Sequence, residues 1–460
     1  MVRLFSHWFT SNTVAQALFD AVLLFLSVVL AAFWLHRGNI PDLLQVAPDA
    51  LLFAITMMVL NAVVGLYHRN PGRSLAKTIA RVVIAILLAL PVAWVIFKVL
   101  PSEPWHSALQ IAVPLAFVFL TAVRGALSHA GWTPIIARRV LVVGTGPEAA
   151  AVRDAFDRLG PGMTLVGFYP TQKTEPATRI AAEDVLPAGA GLVEAVDRHS
   201  IDEVIVAVAD QRGGVLSLRD LLDCKLSGIR VLDMPSFYER TSGEVRLDGL
   251  RASWLIFGDG FRQGWLRAFV KRTFDVSVTL VLLLLALPLM IVSAAAIVLE
   301  SGFPVFYRQE RVGQAGRLFH VIKFRSMRTD AERDGTPRWA TSNDNRITRV
   351  GRVLRALRID ELPQFINVLK GDMSLVGPRP ERPFFVDQLA RDVRFYAVRH
   401  SVKPGITGWA QVRFRYGASV EDAVRKLQYD LYYVKNNTLF LDVVILFETV
   451  GVVLTGHGAH

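Results

Sequence analysis

Four long apolar segments, at about 14–35, 47–67, 81–100 and 107–128, occupy the first third of the chain. Each comes close to the ~20 residues that carry a helix across a bilayer, so the pattern predicts a four-helix transmembrane domain over 1–137. The first segment is too long for a cleavable signal peptide, and three similar ones follow it. Residues 139–257 change character. Short apolar runs at Arg139–Gly144, Thr164–Phe168, Glu203–Val208 and Ile229–Leu232 alternate with helical stretches at 148–159, 190–199 and 215–226. Strand alternating with helix predicts a parallel α/β sheet, a Rossmann-like domain over 138–258. A fifth apolar run, Val276 to Leu299, opens a third region over 259–460 that is polar, basic and dense in motifs up to about 437. Leu439 to Leu454 carries Asp442 and Glu448 and reads as a docked or interfacial helix.

Basic residues in short loops set membrane orientation. Arg69, Arg73, Lys77 and Arg81 lie between segments two and three, and Arg138 and Arg139 follow segment four. The loop Pro101–Trp105 has no Lys or Arg. Both ends of the four-helix unit are therefore expected on the cytoplasmic side. Asp20 and Arg124 fall in or near the spans and are expected to face protein or an interface. The fifth apolar run is followed by Arg308, Arg311, Arg317, Lys323, Arg325 and Arg328, again a cytoplasmic signature. Both flanks lie on one side only if the helix, about 270–299, enters and returns. Pro288 removes a backbone donor and offers the bend.

Composition agrees with this reading. The chain has 460 residues, is 52% hydrophobic and 20% charged, and carries a net charge of +11. Disordered and fibrous classes are excluded, and the basic excess on an apolar chain points to anionic headgroups or anionic substrates. One cysteine, Cys224, excludes an intrachain disulfide and a multi-cysteine zinc site.

The candidate chemistry is concentrated between Lys323 and Gln411. Lys323-Phe-Arg325-Ser-Met-Arg328 reads as a basic strand or strand end. Arg352 and Arg355 precede Asp360-Glu361-Leu-Pro-Gln364; Gly371-Asp372 leads to Gly377-Pro378-Arg379-Pro380-Glu381; Arg399-His400 leads to Lys403-Pro404-Gly405-Ile-Thr-Gly408-Trp409-Ala-Gln411. Many fixed cations around few carboxylates is the arrangement phosphoryl transfer needs, because arginine neutralises phosphate with a planar, two-pronged donor set. Asp360 and Glu361 offer a nucleophile and a metal ligand: attack by an aspartate on phosphorus would split one transfer into two displacements, and magnesium with arginine would stabilise the developing charge. Taken singly, an Asp-Glu pair is usually a solvated helix start and Gly-Pro-Arg-Pro a rigid turn. Their order and density carry the functional reading.

Residues 268–460 resemble the bacterial sugar transferases, the monotopic phosphoglycosyl transferases. The matching motifs are Lys271-Arg272-x-x-Asp275, Lys323 to Met327, Leu354-Arg355 to Gln364, Asn367 to Glu381 and Lys403 to Gln411. The four-helix and α/β plan upstream resembles the large members of that family, and Tyr238-Glu-Arg to Ser253-Trp-Leu-Ile-Phe257 resembles a subgroup found with exopolysaccharide and protein-sorting systems. The resemblance implies transfer of a hexose phosphate from a UDP-hexose, glucose first and galactose next, to undecaprenyl phosphate, releasing UMP and starting exopolysaccharide, capsule or O-antigen assembly. Downstream glycosyltransferases would follow. It implies Asp360 as nucleophile, Glu361 as magnesium ligand, and Arg355 and Arg379 as phosphate contacts or orienters, with Lys323 and Arg325 in the phosphate-binding set. Lys271, Arg272 and Asp275 would anchor the re-entrant helix, and Asp442 would assist the nucleotide site. Gln411 and His400 stand between active-site and structural roles. The chain departs from the family where Leu287-Pro288 lacks the serine that often precedes the proline, and at Asn436-Asn437-Thr438-Leu-Phe440.

Gly144-Thr-Gly146 is close to a dinucleotide fingerprint, but Phe168-Tyr169-Pro170-Thr171 supplies no acid to hold a ribose. A structural or regulatory role is expected for that domain. A sugar dehydratase or epimerase would need a Tyr-x-x-x-Lys pair, which 139–260 lacks. A non-enzymatic export scaffold would leave the Asp-Glu element and the arginine density unexplained. Nucleic acid is disfavoured because the basic residues belong to membrane-adjacent motifs. A homodimer through the membrane domain is compatible with the plan.

Overall fold

The computed structural model describes residues 2–4, 7–9, 11–35, 43–67, 79, 81–89, 105–129, 137–156, 163–171, 179–187, 191–208, 217–248, 250, 252–257, 260–261, 264–329, 346–414 and 419–455. The chain divides into two compact units, Met1–Leu4 with Trp8–Ser242, and Phe5–His7 with Gly243–His460.

In the first unit, helices α1 (Ser11–Leu35), α2 (Leu43–Val63) and α3 (Trp105–His129) occupy the first, second and fourth apolar segments. Residues 81–89 of the third segment are helical; its remainder, 90–100, lies outside the described residues, as do the loops 68–78 and 101–104. Among the described residues, Thr13–Leu35 and Val46–Val63 are each long and apolar enough to cross a membrane, and Ile111–Val123 is a shorter apolar stretch. Leu18, Phe19, Val22, Leu26 and Leu30 stay exposed on α1, whereas Leu24, Val28 and Ala31 are buried against the other helices. Asp20 is fully buried, as expected for an acid that avoids lipid.

The same unit holds a four-stranded parallel sheet. Its strands are β1 (Arg138–Val143), β2 (Met163–Tyr169), β3 (Glu203–Val206) and β4 (Arg230–Asp233), in the order β2-β1-β3-β4. Side chains alternate across a strand. Val140 and Val142 therefore pack with Ala149 and Val152 of helix α4 (Pro147–Phe156) and with Phe237. Leu141 and Val143 turn to the opposite face, against Leu192, Val196 and Cys224 from helices α5 (Leu192–Arg198) and α6 (Leu218–Leu226). Both faces are covered, which is why these strands read as continuous apolar runs.

The second unit is organised around helix α7 (Trp265–Ser301). At 1.5 Å per residue its 37 residues make a rod of about 55 Å, well beyond the ~30 Å hydrocarbon thickness. Pro288 lies inside it and the chain stays helical on both sides, so any change of direction there is a bend rather than an interruption. Both halves rest on the same unit. Val278, Leu282, Leu283 and Ala286 pack on the main core, while Met290 and Ile297 join Phe324, Leu354 and Ile359. Between and around these contacts Leu284, Leu285, Leu287, Leu289, Ile291 and Val292 remain exposed.

Strands β5 (Phe306–Val312) and β6 (Leu318–Phe324) form an antiparallel hairpin with Tyr307 opposite Lys323. Helix α8 (Arg349–Ala356) is followed by a 3₁₀ turn, Ile359–Glu361, and helix α9 (Gln364–Lys370). Strands β7 (Ser374–Val376) and β8 (Gly405–Thr407) pair in parallel. Helix α10 (Val420–Asn436) buries Leu427, Leu431, Tyr432 and Val434 in the core, and helix α11 (Leu439–Thr455) docks on it through Leu441 and Ile445. The terminal apolar stretch is thus a docked helix, as its two acids predict.

Candidate active site

Asp360 and Glu361 sit on the 3₁₀ turn that links α8 to α9. The reversal is made by Arg358, a non-glycine residue held at φ 56° in the left-handed region, a conformation that such a side chain occupies only when its surroundings impose it. Helix α8 is fixed at its start from two sides. Thr348 accepts from the Gly351 N–H at 2.9 Å, and the Glu300 carboxylate accepts from the N–H groups of Arg349 and Val350 at 2.8 and 3.0 Å. A carboxylate at a helix N-terminus satisfies orphan donors and suits the helix dipole.

Glu361 is the hub. Its Oε1 accepts from Lys323 Nζ at 3.1 Å and from Arg379 Nη2 at 2.7 Å, and its Oε2 lies 3.9 Å from Arg358. Burial pushes its pKa up, but Arg379 and Lys323 outweigh that and hold the carboxyl well below its ordinary range. Asp360, beside it, behaves in the opposite way. It is 9% exposed, and burial raises its pKa against the pull of Lys323, with the Glu361 charge adding to the rise and Arg355 and Arg379 opposing it. Two neighbouring acids with divergent proton affinities are a recognised mark of divided chemical roles.

Lys323 reaches Glu361 from the end of β6, whose outer edge is held by an amide. Asn367 Nδ2 donates to the His320 carbonyl at 2.7 Å and its Oδ1 accepts from the Ile322 N–H at 3.0 Å. Arg379 follows the tight β7–β8 pair. A Cβ at Gly377 would collide with the Lys403 carbonyl, and one at Gly405 with the Gly377 amide, so glycine alone permits this approach.

The structure brings Asp360, Glu361, Lys323, Arg355 and Arg379 together and places the other candidate residues in separate contacts. Arg325, nearly buried, donates through Nη2 to the carbonyls of Ser301 and Gly302 and to the Ser301 hydroxyl, at 2.7–2.9 Å. It caps the C-terminal end of α7. Arg272 Nη1 and Nη2 donate to the carbonyls of Val368 and Leu369, at the end of α9. Lys271 bridges Asp275 at 2.7 Å and Asp442 at 3.1 Å, and Tyr433 donates to Asp442 at 2.8 Å. Asp442 therefore belongs to the foot of α7, with Lys271. Gln411 Nε2 donates to the Ile406 carbonyl at 3.1 Å. His400 is neutral, its pKa pushed down to about 4 by burial and then by Arg399.

Sequence reasoning assigned no role to Asn367, Arg399 or Asp430. Asp430 had a legible signal: three residues after Leu427 and next to Leu431, it falls at helical spacing on the apolar face of α10, where an acid requires a buried counter-charge. Arg399 supplies it at 2.8 Å.

Among the described residues no group of three or more His, Cys, Asp or Glu is arranged as a metal cage. A magnesium ion here would draw on the adjacent carboxylates of Asp360 and Glu361 and take its other ligands from water and phosphate.

The bacterial sugar transferase profile matches residues 266–456, the stretch that supplies every one of these contacts. The chain is 33% identical over 341 residues to the UDP-glucose:undecaprenyl-phosphate glucose-1-phosphate transferase of Xanthomonas campestris pv. campestris, covering 72% of this chain and 69% of that protein. The chain belongs to the bacterial sugar transferase family. The protein of the same description from Klebsiella pneumoniae is 32% identical to this transferase over 75% of the chain and 73% of its own length. The UDP-N-acetylgalactosamine-undecaprenyl-phosphate N-acetylgalactosaminephosphotransferase of Aeromonas hydrophila is 46% identical over 241 residues, 52% of the transferase and 56% of that relative.

Proposed function

We propose that the protein transfers a hexose 1-phosphate from a UDP-hexose to undecaprenyl phosphate, giving undecaprenyl-diphosphate-hexose and UMP. The observation that carries this reading is the Asp360–Glu361 pair, with Lys323 and Arg379 bound to Glu361 and Arg355 close enough to act on Asp360. UDP-glucose is the first donor and UDP-galactose the next; the Aeromonas relative adds UDP-N-acetylgalactosamine to the series.

The ionised Asp360 attacks the sugar-linked phosphorus. The bond from that phosphorus to the bridging oxygen breaks, and UMP leaves with the electron pair. An aspartyl-phosphosugar remains. An oxygen of undecaprenyl phosphate then attacks the same phosphorus and releases Asp360 as carboxylate. Arg379, Arg355 and Lys323 hold phosphate oxygens and meet the charge that builds in both displacements. Glu361 keeps Arg379 and Lys323 in place. Magnesium, held by Glu361 with Asp360 beside it, would supply further neutralisation of the diphosphate.

The reading extends to the rest of the chain. The apolar N-terminal helices form a four-helix transmembrane domain (1–137). The parallel sheet belongs to a Rossmann-like domain (138–258) with a structural or regulatory role. The catalytic domain (259–460) stands on the cytoplasmic face of the bacterial inner membrane, on a re-entrant α7 bent at Pro288. Support for re-entry comes from the two ends of α7: Arg272 and Ser301 are both bonded to the same polar unit, while Leu284, Leu285, Leu287, Leu289, Ile291 and Val292 between them face outward. The product opens exopolysaccharide, capsule or O-antigen synthesis for downstream glycosyltransferases.

The test uses the full chain in nanodiscs with undecaprenyl phosphate, magnesium and the three UDP-sugars. UMP and lipid-linked sugar from one donor, both lost in Asp360→Asn, are expected. No release from any donor by folded protein overturns the proposal.

A further inference from the structure

Arg399 lies next to the site yet offers it nothing directly. It is 5% exposed, and all three of its guanidinium nitrogens are committed within the protein. Nε and Nη2 donate to Asp430 Oδ2 at 3.0 and 2.8 Å, and Nη1 donates to the Tyr396 hydroxyl at 2.9 Å. Nη2 also donates to the main-chain carbonyl of Arg379 at 2.9 Å. A cation so enclosed is no ligand for a phosphate. Asp430 is equally buried and supplies the counter-charge that makes the enclosure tolerable.

The carbonyl it grips belongs to a stiff segment. Arg379 stands between Pro378 and Pro380, which fix their own φ, and a residue before proline is confined to extended backbone. The Pro378 carbonyl accepts from Gly405 N–H at 3.0 Å and the Pro380 carbonyl from Arg311 Nη1 at 3.2 Å. With its neighbours pinned, the Arg379 carbonyl sets the direction in which the Arg379 side chain leaves the chain. That side chain carries the 2.7 Å bond to Glu361.

We infer that the buried Arg399–Asp430 pair is a positioning device for the transfer reaction, which holds the Arg379 main chain so that its guanidinium meets Glu361 and the donor diphosphate. The inference rests on the proposed reaction. The planar fork matters as well as the charge: a lysine at 399 keeps the ion pair with Asp430 but cannot serve Asp430, Tyr396 and the Arg379 carbonyl together.

The test is a double-mutant cycle on the full chain, with UMP release as readout, thermal melting as the check on folding, and a cryo-EM structure of Arg399→Lys. Arg399→Lys and Arg399→Met should each lower kcat by about 100-fold, the effect that a misplacement near 1 Å carries. In an Arg379→Ala background the same changes should cost less than about threefold, because residues that act through one another are not additive. A full rate in Arg399→Lys, or equal losses in both backgrounds, overturns the inference. So does a structure of Arg399→Lys with the Arg379–Glu361 bond unchanged. Should the unsubstituted protein release no UMP, the proposed reaction falls, and that structure decides the positioning alone: a lengthened Arg379–Glu361 contact supports it.

Discussion

Lys271, near the start of the long apolar helix, meets Asp442 of the last helix at 3.1 Å. The same ammonium holds Asp275 at 2.7 Å, so one cation compensates two buried acids. Lys271→Met leaves both carboxylates without that charge. It should destabilise the catalytic unit by roughly 2–3 kcal/mol, less than the loss of a wholly buried partner because Lys271 keeps some water. Asp442→Asn leaves the Lys271–Asp275 pair intact and should cost less. Denaturant unfolding of the full chain in detergent checks the ranking.

The two neighbouring acids should respond to neutralisation with opposite signs. Asp360 has a folded pKa above its ordinary 3.8 because of burial. Its contribution to stability is complete below the unfolded value and lost as pH rises through the folded one. Asp360→Asn should therefore melt at or above the unsubstituted protein at pH 7, and the advantage should vanish below about pH 4. Glu361, held well below its ordinary 4.5 by cations that outweigh burial, contributes stability above the unfolded value that is lost as pH falls. Glu361→Gln should melt lower at pH 7, by roughly 1–3 kcal/mol. In the proposed reaction Asp360 attacks as the carboxylate, so the acid limb of the rate profile should have its midpoint above 3.8.

Gly377→Ala should disable the site without touching a charged group. Its Cβ would enter the Lys403 carbonyl, which forces β7 and β8 apart two residues before Arg379. UMP release should fall by about 100-fold or more, the order expected when a site is misaligned by ~1 Å. Melting should drop as well. Gly191→Ala, whose Cβ meets nothing within 4 Å, is the control and should leave both unchanged.

A returning α7 makes a topological prediction. Cysteines introduced at exposed Asp248 and Arg308, in a chain whose Cys224 is replaced by serine, should react with an impermeant maleimide from the same side of the membrane. Reaction from opposite sides would make α7 a plain span.

The sheet was legible because its strands are buried on both faces: the run from Val140 to Val143 has no polar break. The site was legible where chemistry is dense in sequence, at Asp360-Glu361, Lys323 and Arg379. Contacts between distant segments were not. Arg325 carries the same charge as Lys323 two residues away, yet it caps a helix, because Ser301 and Gly302 end opposite it. The resemblance implies a nucleotide-site role for Asp442; the structure adds its partners, Lys271 and Tyr433, which the sequence did not show. Asp430 leaves a local signal in the spacing of α10, but its partner Arg399 is assigned by tertiary packing alone, since an ion pair of that separation leaves no local periodicity. The helix through Pro288 shows how packing along both halves of α7 keeps helical a segment that local propensity would break.

Lys323 and Arg325 are separated by one residue at the end of β6. One grips Glu361 and the other the end of α7. Covalent backbone does not stretch, so this short tether links the end of the apolar rod to the cation that grips Glu361. A hydrophobic segment in a lipid layer that is too thin or too thick tilts or shifts at modest cost. On the proposed membrane seating of α7, such a shift would pass through this tether to Lys323, and lipid thickness would then bear on the proposed transfer.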